Sequence, residues 1–241
     1  MSANPPKTLL LTNDDGVDAP GIGALLGAMA GLGKCVVVAP FGPYSACSHT
    51  VTYHKPLTIA TRTDGRHVVE GAPADCVRLA RFVLAPQFDW VVSGINSGGN
   101  LGVDVYYSGT VAAVRESVLL GRPGIAVSQY IARGRQVDWA RSSRWASGVI
   151  RMLLDREWSP GTFWNVNLPH PESDAPDPEV CECPLDPSPL PVSYRLEHEG
   201  RVAHYSGDYQ SRQRLPGHDV DLCFGGRITM TCIRVVHGGG W

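Results

Sequence analysis

The 241-residue chain has no run of lysine or arginine, and its formal net charge is only −2. The broad basic surface that duplex nucleic acid requires is therefore absent, and any polyanionic partner is small. Apolar runs of membrane length are missing too. The opening MSANPPKTLLL has one lysine and three consecutive leucines, far short of a signal-peptide core or the ~20 residues of a span. A cytoplasmic protein with no membrane contact is the expectation. No Gly-x-Gly-x-x-Gly follows the first apolar run, which argues against a dinucleotide-dependent oxidoreductase, and there is no internal repeat. The seven cysteines are an odd number, and most sit in apolar strings where small buried thiols are common. Cys181 and Cys183 form a C-x-C with no second pair and no nearby histidine, a poor zinc site. All seven are expected to be reduced thiols.

What is present is an ordinary globular composition, 43% apolar, enough to bury the core of one large domain over residues 1–241. Apolar runs at 8–12, 35–39, 90–93, 125–128 and 162–167 read as buried strands. Helical spacing recurs between them, from Pro20 until Gly31 and Gly33, after Pro73, over about 110–120, and through Ala146 to Leu154. Asp64-Gly65 marks a hairpin between two β-leaning stretches. This alternation over the first 170 residues predicts a doubly wound, mostly parallel, Rossmann-like α/β sheet.

The remainder has a different character. PHPESDAPDPEVCECPLDPSPLP reads as a loop, SYRLEHEGRVAHYSGDY as a polar hairpin, and residues 227–236 as a strand. About 171–215 is thus an appendage, a C-terminal β-hairpin elaboration expected to serve oligomerisation.

The first strand runs directly into Asn13, Asp14, Asp15 and Gly16. At an effective dielectric of ~20, two unit charges ~5 Å apart repel by about 3 kcal/mol, so paired carboxylates at a ligand-binding strand end call for a cation. A helix-capping role for one of the two aspartates is the bland alternative. Two other strand ends supply more oxygen: Ser45 and Ser48 after 35–39, and Asn96 after 90–93. An all-oxygen set suits Mg2+, Mn2+ or Ca2+. Beyond them, Ser108, Gly109 and Thr110 open a helix, where free N–H groups and hydroxyls favour an anion. His49 and His54 are expected to be surface residues.

LLTNDDGVDAPGI, GAPADCV, VVSGINSGGNLGVDVYYSGTVAAVRES and GIAVS together resemble the SurE family of metal-dependent nucleotide phosphatases, in order over residues 8–130 and more weakly beyond. The resemblance implies a small nucleotide substrate, phosphate removal at the 5′ or 3′ position and, for some members, from short polyphosphate. It implies one divalent ion per subunit on Asp14, Asp15, Ser45 and Asn96, phosphate contacts from Asn96, Ser108, Gly109 and Thr110, and catalysis by Asp14, Asp15 and Asn96 with Asn13 orienting the aspartates. A catalytically inactive nucleotide-binding relative would lack at least one of these residues, and none is missing. Homodimers or homotetramers are implied as well. Two departures stand out: Ala72 where threonine is frequent, and Met230-Thr231-Cys232 in place of the segment leading to an exchanged C-terminal arm. With the chain ending at Gly238–Trp241, no exchanged arm is expected.

Overall fold

The computed structural model describes residues 6–235. Leu9 and Leu11 pack among Ile22, Leu25 and Ile150, while Leu10 packs among Val38, Val77 and Phe88. Alternate side chains of a strand point to opposite faces, so the uninterrupted leucine run marks a strand covered on both sides. This strand, β1 (Thr8–Thr12), lies parallel between β2 (Lys34–Pro40) and β5 (Trp90–Ser97).

Outward from β2 come β4 (His67–Val69), parallel to it, and β3 (Ile59–Thr61), the antiparallel edge. On the other side β5 is followed by β6 (Gly124–Gln129), β7 (Thr162–Leu168), β11 (Ile228–Arg234) and β8 (Val180–Glu182). Only β11 opposes its inner neighbour here. Helices α1 (Pro20–Ala28) and α4 (Trp139–Leu154) cover one face, and α2 (Pro73–Leu79) and α3 (Gly109–Leu119) the other. The architecture is the expected doubly wound, mostly parallel α/β sheet. From β1 the chain first builds toward β2 and then returns to β5 on the opposite side. The crevice beyond the carboxyl ends of β1 and β5 is therefore the topological switch point, where such sheets take ligands.

Several local expectations are corrected. β5 runs to Ser97 instead of stopping near Ser93, because the ladder shifts register between Ser93 and Asn96 and then resumes against Ser128 and Gln129. Asn96 is thus held by a strand. The proline-rich segment is not all loop: Val180–Glu182 pairs in parallel with β11, too short a strand for alternation to reveal. Helix α1 ends at Ala28, before either glycine, and its N-cap, Ala19, has no side-chain cap, so neither aspartate caps it. A short helix α5 (Asp219–Phe224) was not foreseen. The hairpin exists, β9 (Tyr194–Glu197) against β10 (Val202–Tyr205), as a separate two-stranded sheet. The last strand, expected over 227–236, is β11, which spans Ile228–Arg234 in the main sheet, one residue shorter at its start and ending before Val235; the tail at 236–241 lies outside the described residues.

Candidate active site

Where β1 ends, the chain turns at once. Asn13, fully buried, donates from Nδ2 to the Gly16 carbonyl at 2.8 Å, and Gly16 adopts a φ of +102°, which glycine reaches without a Cβ penalty. The turn lets Asp14 and Asp15 face one pocket of about 260 Å3. Ser45 reaches it from the loop after β2, Asn96 and Ser97 from the end of β5, and Ser108 from the start of α3. Among the described residues, no lysine, arginine or histidine lines it.

Asp14, Asp15 and Asn96 are each fixed by a partner. Thr110 Oγ1 donates to Asp14 Oδ1 at 2.5 Å, and the Ser97 N–H donates to Asp15 Oδ2 at 3.0 Å. Asn96 Nδ2 donates to the Gly98 carbonyl at 2.7 Å, so the amide oxygen is the end left for a ligand. Burial pushes the Asp14 carboxyl up to about 6; the Thr110 hydroxyl opposes the rise and the neighbouring Asp15 charge adds to it. A buried carboxylate beside a second one, without a cationic side chain in the wall, is a site that a hard cation would neutralise.

The Ser45 loop is held under strain. Ala46 and Ser48 have φ of 53° and 51°, a region that costs a non-glycine residue on the order of 1–3 kcal/mol. Ser48 is clamped in return, its N–H donating to the Tyr107 carbonyl at 3.0 Å and its hydroxyl to the Tyr106 carbonyl at 2.8 Å. The Ser48 hydroxyl is therefore spent on the backbone. Behind it, His49 Nε2 meets Glu116 Oε2 at 2.8 Å, and Arg78 Nε donates to Glu116 Oε1 at 2.6 Å. His49 is thus no plain surface residue: it ties the loop to the 2%-exposed side chain of Glu116 on α3. His54 is exposed as expected.

A family model described as survival protein SurE matches residues 9–184. The chain belongs to the SurE family. It is 48% identical over 226 residues to a putative 5'-nucleotidase of Synechocystis, covering 94% of this chain and 99% of that one. It is 38% identical over 226 residues to the 5'-nucleotidase SurE of Geobacter sulfurreducens, covering 92% and 86%. The crystal structure of the SurE protein from Aquifex aeolicus matches with a TM-score of 0.85 at 29% identity, over 96% of this chain and 94% of that one.

Of the residues the SurE resemblance singles out, Asp14, Asp15, Ser45, Asn96 and Ser108 line one pocket, whereas Asn13, Gly109 and Thr110 do not. Asn13 shapes the turn. Thr110, fully buried, gives its hydroxyl to Asp14, and Ser108 caps α3, accepting from the Val111 N–H at 3.1 Å, while still lining the pocket. Gly109 is glycine because α3 lies directly against Asp14: a Cβ there would stand 2.8 Å from Asp14 Cβ and 2.8 Å from Cys47 Sγ.

Ala46, Gly99, Asn100, Asp104, Tyr107 and Tyr209 complete the wall, beyond the residues that the sequence reading singles out. Asn100 lay within the quoted glycine-rich motif and was a readable signal. Tyr209 comes from the appendage; its hydroxyl and Arg212 Nη1 both donate to Asp104 Oδ2 at 2.7 Å. Burial and the Asp104 charge drive the Tyr209 phenol well above its ordinary range, so it stays a donor. Asp104 has its counterion, unlike the paired aspartates. A groove of about 430 Å3 at the opposite end of the sheet, near Thr8, Lys34 and Arg66, gathers no comparable set of oxygens. Among the described residues no three His, Cys, Asp or Glu side chains converge as a metal cluster. Burial pushes the Cys183 thiol up to about 11.

Proposed function

We propose that the chain is a phosphomonoesterase that removes phosphate from nucleoside 5'- or 3'-monophosphates, with short polyphosphate as a further substrate. The observation that carries this reading is the switch-point pocket, in which two carboxylates, a hydroxyl, an amide oxygen and a capped helix start share one wall free of cationic side chains among the described residues. The 5'-nucleotidase names of relatives at 36–48% identity support it. An inactive nucleotide-binding protein of the same fold is not favoured by any observation.

Asp14, Asp15, Ser45 and Asn96 would hold one Mg2+, Mn2+ or Ca2+ per subunit, which when bound offsets their charge, polarises phosphoryl oxygens and acidifies water. Asn96 and Ser108 bind and orient the phosphoryl group. The first turn of α3 favours its negative charge through the helix dipole and free backbone amides. Asp14, buried and held through Oδ1 by Thr110, takes the proton of the attacking water. A water oxygen then bonds to phosphorus as the ester P–O bond breaks, the leaving oxygen takes a proton from solvent water to become the alcohol, and Asp14 returns its proton to solvent.

Phosphate release from a panel of nucleoside monophosphates tests this. With Mn2+ or Mg2+, release is expected, a chelator should abolish it, and added metal should restore it. Nucleotide binding without any release would replace the enzyme by a binding protein. Monoesters are expected to exceed diesters, since the chain has no basic tract to hold a long nucleic acid. Gly109→Ala is expected to lower kcat/KM on the order of 10²-fold, because the added Cβ displaces Asp14 or α3 and small misplacements of a catalytic group are costly. Circular dichroism should show the fold retained; full activity in a folded variant would mean that the contact at Gly109 does not set the position of Asp14.

The same reading includes a cytoplasmic homodimer or homotetramer resting on the appendage, where Val192, Leu196 and Tyr205 are exposed apolar side chains. Among the described residues no helix is long and apolar enough to cross a membrane.

A further inference from the structure

The pocket holding the paired aspartates is small. About 260 Å3 falls below the roughly 300–1,000 Å3 of sites that enclose a drug-sized ligand, so it suits a phosphoryl group and an ion better than a whole nucleotide. A second compartment of about 480 Å3 shares two of its residues, Asp15 and Ser97. Its remaining wall includes Pro20, Ile131, Arg135, Gln136, Val137 and Trp139. These come from the start of α1, the loop after β6 and the start of α4, elements on the far side of Asp15 from Ser108 and Tyr209.

We infer that this compartment is the slot for the nucleoside, taking the planar base and its ribose while the phosphoryl group sits beyond Asp15. The inference rests on the phosphomonoesterase reading and adds the part of the substrate that the first pocket is too small to enclose. The wall has the chemistry of such a slot. Arg135 is pinned at both terminal nitrogens: Nη1 donates to the His170 carbonyl at 3.2 Å and to Glu172 Oε1 at 3.1 Å, and Nη2 to the Pro171 carbonyl at 2.9 Å. A guanidinium fixed in this way is a flat, rigid surface on which an aromatic ring stacks without further loss of side-chain entropy. Trp139 is partly buried against the core, its ring lying over Gly21, where an added Cβ would stand 3.3 Å away. Pro20, Ile131 and Val137 supply apolar contact. Gln136, exposed, carries both a donor and an acceptor for the edge of a base.

The slot predicts discrimination between two esters with the same leaving oxygen, a nucleoside 5'-monophosphate and ribose 5-phosphate, which lacks the base. Wild type should favour the nucleotide. Arg135→Ala, which removes the stacking surface, and Val137→Phe, which fills the compartment, should each lower kcat/KM for the nucleotide by roughly tenfold, the size of one lost stacking contact. Both should leave ribose 5-phosphate within about twofold. Calorimetry with the free nucleosides adenosine and uridine gives a readout independent of turnover: wild type should bind them, and both variants should bind at least several-fold more weakly.

Parallel loss on both esters would show that the variants merely disturb Asp15 and Ser97, and would overturn the slot. So would unchanged nucleoside binding, or a nucleotide preference abolished by Tyr107→Ala alone, which would place the base on the opposite rim. If wild type releases phosphate from no ester yet binds nucleosides in an Arg135-dependent way, the slot stands and the phosphomonoesterase reading falls.

Discussion

Asp15→Asn is expected to fold as well as wild type and to release phosphate from nucleotides on the order of 10²–10³-fold more slowly, the loss that follows from removing one charged or polar group aimed at a reacting centre. Folding should survive because Asp15 is only half-buried and its one backbone contact, the Ser97 N–H, can donate to an asparagine oxygen as readily as to a carboxylate. Without metal the variant should be at least as stable as wild type. It loses the repulsion between adjacent carboxylates, which at ~5 Å and an effective dielectric of ~20 is worth up to about 3 kcal/mol, and less where Asp14 holds a proton. With metal the order should reverse. Mn2+ at a hundredfold excess over its Kd stabilises the form that binds it by about 2.7 kcal/mol, a gain the variant should forgo. Thermal melts with and without Mn2+, joined to calorimetric titration, separate the two effects. Undiminished Mn2+ affinity in Asp15→Asn would remove Asp15 from the ion's ligands.

The sequence made this experiment designable because its signals are of the local kind. A fully apolar run ending in a carboxylate pair and a glycine is legible as a buried parallel strand whose end faces a ligand, since period-two burial on both faces leaves no other use for three leucines. The same logic found β2, β6 and β7 and the helices between them. It found Ser45 because it follows such a strand, and Asn96 because it lies at the end of one. Boundaries failed where the backbone departs from regular geometry: β5 continues through a register shift after Ser93, which no alternation rule detects.

Residues brought in from far along the chain were illegible for a different reason. Tyr209 and Arg212 reach Asp104 across more than a hundred residues, and nothing in SGDYQSR tells that the segment returns over the site. Thr110 shows the converse limit. Its place at a helix start is readable, but whether its hydroxyl faces a ligand or Asp14 depends on how closely α3 approaches β1, and that distance is set by Gly109 and the packing behind it. His49 looked like a surface histidine because burial of its partner, Glu116, is a tertiary fact. On α3, Glu116 falls among apolar neighbours, and a buried carboxylate in such a stretch requires partners from elsewhere.

That carboxylate carries the second large effect. Glu116→Ala removes the acceptor shared by His49 and Arg78, and breaking a fully buried ion pair costs roughly 3–5 kcal/mol. The Arg78 side chain is 33% exposed and can turn to water, which places the expected loss at the lower end, about 3 kcal/mol at pH 7 by urea unfolding. The loss should depend on pH in a definite direction. Burial alone would raise the Glu116 carboxyl, but the hydrogen bonds and charges of His49 and Arg78 outweigh it and hold the group below its ordinary value. A carboxylate depressed in the folded state stabilises the fold at pH above its unfolded value of about 4.3, and the contribution disappears as pH falls through the folded value. The gap between wild type and Glu116→Ala should therefore be full at pH 7 and narrow in acid below about pH 4. A gap of constant size down to pH 3 would mean that lost packing, and not the ion pair, accounts for the cost. Because His49 ties the strained Ser45 loop to α3, Glu116→Ala should also lower kcat/KM in the fraction that remains folded. Glu116→Gln, which keeps an acceptor for Arg78 Nε but not the charge, should fall between the two in both stability and turnover.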